Sequence, residues 1–387
     1  MKALIVAEYY PRAGDSVGGV WAHRQTLAAR DAGADVRVLV LHRPVPPLSA
    51  VRTADVRRAL SVVRQPARAE LDGLPVHYVR YLSPPRPWSY SSWGAWAAPV
   101  LRRALRRLRR EFPFDLVHAH YAVPTGDAVR RAAGSAPLLV SVHGHDVQGV
   151  GSGGPAVATT LRHARLVLAN STGTARRCSA LGARDTRVVH LGADVPPEAG
   201  TPSDRPTLVT VGHLAARKRH ADVISAVALL RDGLPGLRYV IVGDGPERER
   251  LRELATSLGV ADRVEFRGQL PNDEATAVAR SASLFVMPSV DEAFGVAYIE
   301  AMAGGVPAVG CRGEDGPEEI CGAGGGIVLV PPRDVRALAD RIDSLLASGA
   351  SLQAMRLAAR ETVQREFTWE HCGVQTVAAY EQVLGAG

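Results

Sequence analysis

The strongest chemical signal in the chain is SVDEAFGVAYIEAMAGGVP, where Glu292 and Glu300 are separated by seven residues. Glu292 falls in a loop after the strand-like run LFVMP, and Glu300 about a turn into the helix that follows. Between them, Ala293, Phe294, Gly295 and Val296 offer backbone N–H groups at the helix N-terminus, where anions and hydroxyl oxygens are favoured. Two carboxylates so placed can hold a neutral polyol by accepting hydrogen bonds from its hydroxyls, and need not be an acid/base pair. A second constellation, VGHLAARKRHADVI, sets His213, Arg217, Lys218 and Arg219 between a strand and a helix. Cations there suit a diphosphate, which needs several donors and charge neutralisation; a solvated basic loop is the plainer alternative. Lys218 is singular, because Lys2 is the only other lysine in a chain that otherwise uses Arg. It marks a position where a compact ammonium serves better than a planar fork.

Histidines gather at two strand ends: His118 and His120 after DLV, His143 and His145 after LLVSV, with Asp146 beside them. Alternation along a strand puts each i, i+2 pair on one face. A metal would need these ligands to converge around an open position. Packed, hydrogen-bonded histidines are the plainer reading, and the third is a single imidazole, best His143, pointing at a reacting group. After the first strand, GDSVGGVWAH puts Gly18 and Gly19 at the start of a helix, where glycine lets a phosphate approach backbone N–H groups or simply serves the turn. The one literal G-x-G-x-x-G, at Gly149, Gly151 and Gly154, has no strand immediately before it, which argues against a dehydrogenase.

These residues need strands that end where they begin. Apolar runs alternate with helical patterns throughout: LIVAE, VRVLVL, DLVHAH, PLLVSV, RLVLAN and TRVVHL, then TLVTVG, RYVIVGDG, RVEFRG, LFVMPS, PAVGC and GGIVLV. That is an α/β pattern. A Pro- and Gly-rich stretch from Leu191 to Thr207 divides the rhythm in two, so the expected organisation is a domain over 1–195, a linker over 196–206, a domain over 207–368, and a helix over 369–387 returning to the first. With 387 residues, 46% hydrophobic and 22% charged, there is apolar material for two cores, and disorder, collagen and coiled coil are excluded. Four dispersed cysteines and the short apolar start predict a reducing, cytoplasmic setting without structural metal. Residues 1–200 carry 27 Lys+Arg against 14 Asp+Glu, and the remainder 19 against 25, so the formal charge of +7 comes from a basic front half. Much of it lies in 84–112, with Trp88, Trp93 and Trp96 followed by six arginines in nine residues. Its Leu101, Ala104, Leu105, Leu108 and Phe112 share one helical face. Either this is a surface helix packed by that stripe, or an interfacial element touching anionic lipid with its tryptophans at headgroup level. No nucleic-acid module accompanies the charge.

In order along essentially the whole chain, the glycine turn, HAH, HGHD, VGHLAARK, VGDGPE, FRGQLPNDE and the E-x7-E segment resemble a retaining GT-B glycosyltransferase of family GT4. The resemblance implies two Rossmann-like doubly wound domains facing an interdomain cleft, a nucleotide-sugar donor held mainly by the second domain, and a hydroxyl acceptor held mainly by the first. It implies that Lys218, helped by the Gly19 backbone, neutralises the donor diphosphate. Glu300 would accept from the ribose, Glu292 with the Phe294 and Gly295 amides would hold the donor sugar, and Leu270 would meet the base. His143 would stand near the reacting centre, with His118, His120 and His145 on the acceptor side. No metal or other cofactor is implied, and no D-x-D occurs. One departure stands out: the family's usual Arg is His213 here, so Arg217 or Arg219 must substitute or the phosphate is held less tightly. Expected donors are UDP-linked glucose or N-acetylglucosamine, or GDP-mannose, and the expected setting is cell-surface glycan, glycolipid or secondary-metabolite biosynthesis. The protein is expected in the cytoplasm, with peripheral contact to an anionic membrane. A nucleotide-sugar epimerase and a non-catalytic sugar-nucleotide-binding protein are the alternatives.

Overall fold

The apolar runs fold as buried strands because β-branched and Leu-rich segments flanked by turns must cover both faces of a parallel sheet. The computed structural model describes residues 1–13, 15–45, 60, 62–85, 89–148, 154–201 and 203–385. The chain divides into two units, Met1–Leu191 with Trp369–Gly387, and Gly192–Thr368.

The first unit is built on β1 (Lys2–Ala7), β2 (Asp35–His42), β3 (Arg68–Leu71), β4 (Leu74–Arg80), β5 (Leu116–His120), β6 (Leu138–Val142), β7 (Leu166–Ala169) and β8 (Thr186–Val188). Their order is β3-β4-β2-β1-β5-β6-β7-β8. Ile5 of β1 pairs with Val38 on one side and His118 on the other, so the order reverses between β1 and β5. Ligands of doubly wound sheets bind beyond the carboxyl ends of the strands at such a switch point. There lie the Gly18–Gly19 turn and the His118–His120 strand end. The antiparallel β3–β4 hairpin is absent from the strands read off the sequence. Its two-residue turn, Asp72 and Gly73 at φ 49° and 75°, is of the D-G kind that favours hairpins, so the signal was present.

The helix Trp93–Glu111 buries Leu101, Leu105 and Leu108, with Phe112 just beyond it, and leaves its arginines outside. Trp93 and Trp96 do not share an exposed belt. Trp93 is buried, donating its indole N–H to Pro84 O at 3.0 Å and lying under the Arg43 guanidinium at 4.7 Å. Trp96 is 53% exposed; Trp88, like Gly149 and Gly151, lies outside the described residues.

The second unit has β9 (Thr207–Val211), β10 (Arg238–Val242), β11 (Val264–Gly268), β12 (Leu284–Val286), β13 (Ala308–Cys311) and β14 (Ile327–Val330) in the order β11-β10-β9-β12-β13-β14. Its pairings are all parallel, and its switch point falls between β9 and β12. The basic turn follows β9 and the E-x7-E segment follows β12. Topology alone therefore brings Lys218 and Glu292 to one crevice.

The stretch expected as a linker is strapped to the second unit. Gly200 N donates to Gly304 O at 2.8 Å, Arg356 to Gly200 O at 2.7 Å, and Arg360 to the Pro197 carbonyl at 2.9 Å. Two arginines of one distant helix, Gly349–Glu366, bind these main-chain carbonyls. The C-terminal helix Trp369–Gly385 packs in the first unit against the helix Val20–Asp31. A Cβ on Gly373 would stand 2.2 Å from Ala28 O, so only glycine permits that approach, and Gln25 donates to Thr376 Oγ1 at 3.1 Å. No helix among the described residues is long and apolar enough to cross a membrane.

Candidate active site

In the second unit three βα loops are fused through their backbones. Gly212 N donates to Val242 O, Leu214 N to Asp244 O, Glu247 N to Leu214 O and Gly243 N to Gly268 O, all within 3.1 Å. A Cβ on Gly243 would fall 2.0 Å from Gly212 O. The glycines of VGDGPE thus let two loops touch main chain to main chain. On this platform His213 is exposed, and Leu270 is half buried in the loop after β11.

Lys218 ends a single 3-10 turn, Ala216–Lys218, and is only 11% exposed. Its Nζ lies 2.5 Å from Glu292 Oε2 and 3.5 Å from Met287 Sδ. Arg217 approaches the same oxygen at 3.6 Å. Burial by itself would push the Glu292 carboxyl up. The Lys218 and Arg217 charges, with hydrogen bonds from Lys218 and Ser289, outweigh it and hold the group below the usual carboxylate range. Arg219 is differently employed: its guanidinium grips Asp222 at 2.6 and 2.8 Å, leaving Arg217 as the second cation beside Glu292.

Glu292 is placed by a residue the sequence reading missed. Glu314 Oε2 accepts from the Glu292 N–H at 2.8 Å, and its carboxyl is also hydrogen-bonded by the Asp291 N–H. Asp291 sits at φ 56°, a strained conformation for a residue with a Cβ, and the two-amide grip of Glu314 secures that turn. Gly295, at φ 84°, begins the helix Val296–Ala303, and a Cβ there would lie 2.5 Å from the Tyr298 ring. Ala293 and Phe294 are buried, and Phe294 packs on Phe367. Glu300 is half buried on this helix, near enough to Arg280 for their charges to interact.

In the first unit the histidines split into two roles. His118 is buried, with Nδ1 2.8 Å from the Tyr380 hydroxyl and Nε2 2.7 Å from Ser141 Oγ. Both nitrogens are spent inside the fold, which leaves His118 none to offer an acceptor. His120 stacks on His118 and then on His143, with its Nδ1 3.0 Å from His143 Nε2. The remaining nitrogens, His120 Nε2 and His143 Nδ1, have no hydrogen-bond partner among the described residues. Burial brings His118 and His143 down to about 3 and His120 well below the ordinary value, so all three rings are neutral at pH 7. Their shared proton couples the free ends: if His120 donates to His143, His143 Nδ1 is a donor, and in the other tautomer it is an acceptor. Tyr121 and Trp21 border the His143 ring at 5.1 and 6.3 Å between centroids. Asp146 is buried and pushed up to about 7 by burial, against hydrogen bonds from the Ala122 and Val123 amides. His145 is exposed.

Gly18 N donates to Asp15 Oδ1 at 2.8 Å, so that amide is already engaged. Gly19, at φ 80°, must lack a Cβ, which would stand 2.2 Å from the Tyr9 carbonyl carbon. Among the described residues no group of three or more His, Cys, Asp or Glu side chains could hold a metal ion.

Residues 17–195 match the family described as Glycosyltransferase Family 4, and residues 194–362 match Glycosyl transferases group 1. A 2-deoxystreptamine N-acetyl-D-glucosaminyltransferase of Streptomyces fradiae is 31% identical over 369 residues, covering 85% of this chain and 82% of its own. The chain belongs to glycosyltransferase family 4. Another relative is a GDP-mannose-dependent alpha-(1-6)-phosphatidylinositol monomannoside mannosyltransferase of Mycobacterium tuberculosis, 31% identical over 299 residues, 70% of this chain and 77% of that one. The fold is GT-B: a sucrose-phosphate synthase from Thermosynechococcus elongatus superposes with a TM-score of 0.80 at 21% identity, covering 100% of both chains. The activity of this GT4 member is therefore glycosyl transfer, and within each Rossmann-like unit its polar groups collect at the switch point of the sheet.

Proposed function

We propose that this GT4 enzyme moves a hexosyl group of the glucose, N-acetylglucosamine or mannose type from a nucleoside diphosphate sugar to an acceptor hydroxyl, with retention and without a metal. The observation that carries this reading is the buried contact of Lys218 with Glu292, with Arg217 alongside, at the mouth of β9 and β12. A departing diphosphate gains negative charge as the glycosidic bond breaks, and fixed cations beside it stabilise that charge without reorganisation. Lys218 and Arg217 supply them, in the place where other enzymes use a divalent ion. Glu292, kept ionised by the same cations, accepts from the sugar hydroxyls, with the Phe294 and Gly295 amides beside it. Glu300 takes the ribose hydroxyls, and the backbone at Leu270 meets the base.

The first unit holds the acceptor. His143 Nδ1 is the imidazole atom that meets it, neutral and switchable between donor and acceptor through His120. Retention follows if the acceptor oxygen attacks from the face the diphosphate leaves, a phosphate oxygen taking the hydroxyl proton as the C–O bond to the sugar forms. Relatives named for 2-deoxystreptamine and for a phosphatidylinositol monomannoside support a secondary-metabolite or cell-surface glycolipid setting.

Calorimetry with UDP, GDP, ADP and dTDP and their common sugars, in chelator, tests the donor site. One nucleotide should bind selectively and lose affinity in Lys218→Ala and Glu300→Ala. NMR of the product should show the donor's anomeric configuration kept. Nucleoside diphosphate binding by none of the panel would sink the reading; epimerised sugar without any need for acceptor would point to the epimerase instead.

A further inference from the structure

The arginines of the helix Trp93–Glu111 are not a uniform solvated face. Toward its C-terminal end a cavity of about 350 Å³ opens between this helix and the short helix Asp127–Ala132, lined by Arg102, Arg106, Arg109 and Arg131 over Leu105 and Phe114. Among the described residues no carboxylate lines it. The contacts that hold the cup in shape include a carboxylate for one of its four guanidiniums among the described residues. Arg102 Nη2 donates to the Arg131 carbonyl at 2.6 Å, and the Arg109 guanidinium stacks 4.5 Å above the Phe114 ring. Among the described residues only Arg131 of the four is ion-paired, through Nε to the buried Asp127 carboxylate at 2.8 Å, which Arg130 shares. Arg102, Arg106 and Arg109, without a carboxylate partner among the described residues, repel one another around the hollow, an arrangement that an anion relieves. Planar forks fit phosphate oxygens two at a time.

The surface around the cup says what carries that phosphate. Arg103, Arg107 and Arg110 continue outward along the same helix, and Arg107 meets Glu111 only at 3.7 Å on the exposed side. Two turns toward the N-terminus of the same helix stands Trp96, 53% exposed. The Leu stripe of this helix is spent in the core, so what it offers a bilayer is a basic outer face with an exposed indole at one end, which an anionic surface attracts. We propose that the Arg102–Arg106–Arg109–Arg131 cup seats the phosphate of an anionic phospholipid and holds the first unit against the membrane through the outer face of this helix. This site belongs to the back of the helix rather than to the strand carboxyl ends, and it stands whether or not the donor assignments above do.

Co-sedimentation with vesicles tests it. The full chain should bind phosphatidylcholine vesicles containing phosphatidylglycerol at low salt, and should not bind phosphatidylcholine alone. Binding should fade when salt shortens the Debye length to ~3 Å. Each guanidinium near a charged surface is worth about a fivefold change in binding, so Arg102→Ala/Arg106→Ala/Arg109→Ala should weaken it on the order of 100-fold. A charge-matched control on the second unit, Arg231→Ala/Arg250→Ala/Arg252→Ala, should keep most of it. Both variants should keep the wild-type unfolding midpoint and wild-type nucleotide binding. Absence of vesicle binding at low salt, equal loss in the control, or unchanged binding in the cup variant would each overturn the proposal. So would protection of the cup by soluble inositol hexakisphosphate without any vesicle association.

Discussion

Replacing Lys218 by Met keeps the length of the side chain and removes its charge, leaving Glu292 in a site where it is 8% exposed. Breaking a buried pair from one side typically costs about 3–5 kcal/mol, because the surviving charge loses its compensation. Arg217, at 3.6 Å and half exposed, still offsets part of this, so we expect a loss of about 2–3 kcal/mol. Lys218→Met with Glu292→Gln together should recover much of it, since neither charge then remains to be paired. The pH dependence should change sign as well. In the wild type Glu292 titrates below its ordinary range, so its contribution is complete above the unfolded carboxyl pKa and is lost as pH falls through the lower folded value. Without Lys218 burial dominates, the folded pKa rises above the unfolded one, and stability should instead increase as pH falls between the two. All five tryptophans belong to the first unit, so urea unfolding of the second is followed by far-UV circular dichroism at pH 7 and pH 5. A change of under about 0.5 kcal/mol in the single variant, with an unaltered pH profile, would refute the idea that this pair organises the site.

Gly295→Ala forces a Cβ into the left-handed region and against Tyr298; a loss of about 1–3 kcal/mol and of nucleotide binding is expected by thermal shift and calorimetry. Glu314→Gln should retain one amide contact and act mildly, whereas Glu314→Ala frees the Asp291–Glu292 turn and should raise the donor KM roughly tenfold with less effect on the unfolding midpoint. Equal loss of stability and affinity in both would make Glu314 merely structural. His118 and His143 are held neutral down to about 3, so between that value and 6.5 the unfolded chain binds more protons. Stability should fall with acid by about 1 kcal/mol per pH unit or more, and a flat profile from pH 6.5 to 5 would contradict the burial of the trio.

The placement of the candidate residues within each unit was largely legible before any coordinates. Glu292, Lys218 and His143 stand at strand ends, and strand ends are set by local runs of β-branched residues and the glycines that stop them. The hairpin of β3 and β4 was equally legible through Asp72-Gly73 and was overlooked because its strands carry Arg, Glu and His among their apolar residues. The anchoring of the Pro- and Gly-rich stretch was hidden for a different reason. Pro and Gly announce the absence of regular structure, but not whether arginines from elsewhere, here Arg356 and Arg360, will bind the free carbonyls.

The sequence by itself determined the alternation of strand and helix, the order of the motifs and hence the family, because these follow from periodicity and spacing within a few tens of residues. Tertiary structure alone decided which partner each charged or polar side chain takes. Arg217 leans on Glu292 while Arg219 is consumed by Asp222; Glu314, 22 residues away, pins the Asp291–Glu292 turn; and His118 is sealed by Tyr380, 262 residues along the chain. Adjacent arginines and alternating histidines are indistinguishable in sequence, and their environments diverge only when distant strands pack and decide which nitrogen finds a partner among the described residues and which does not.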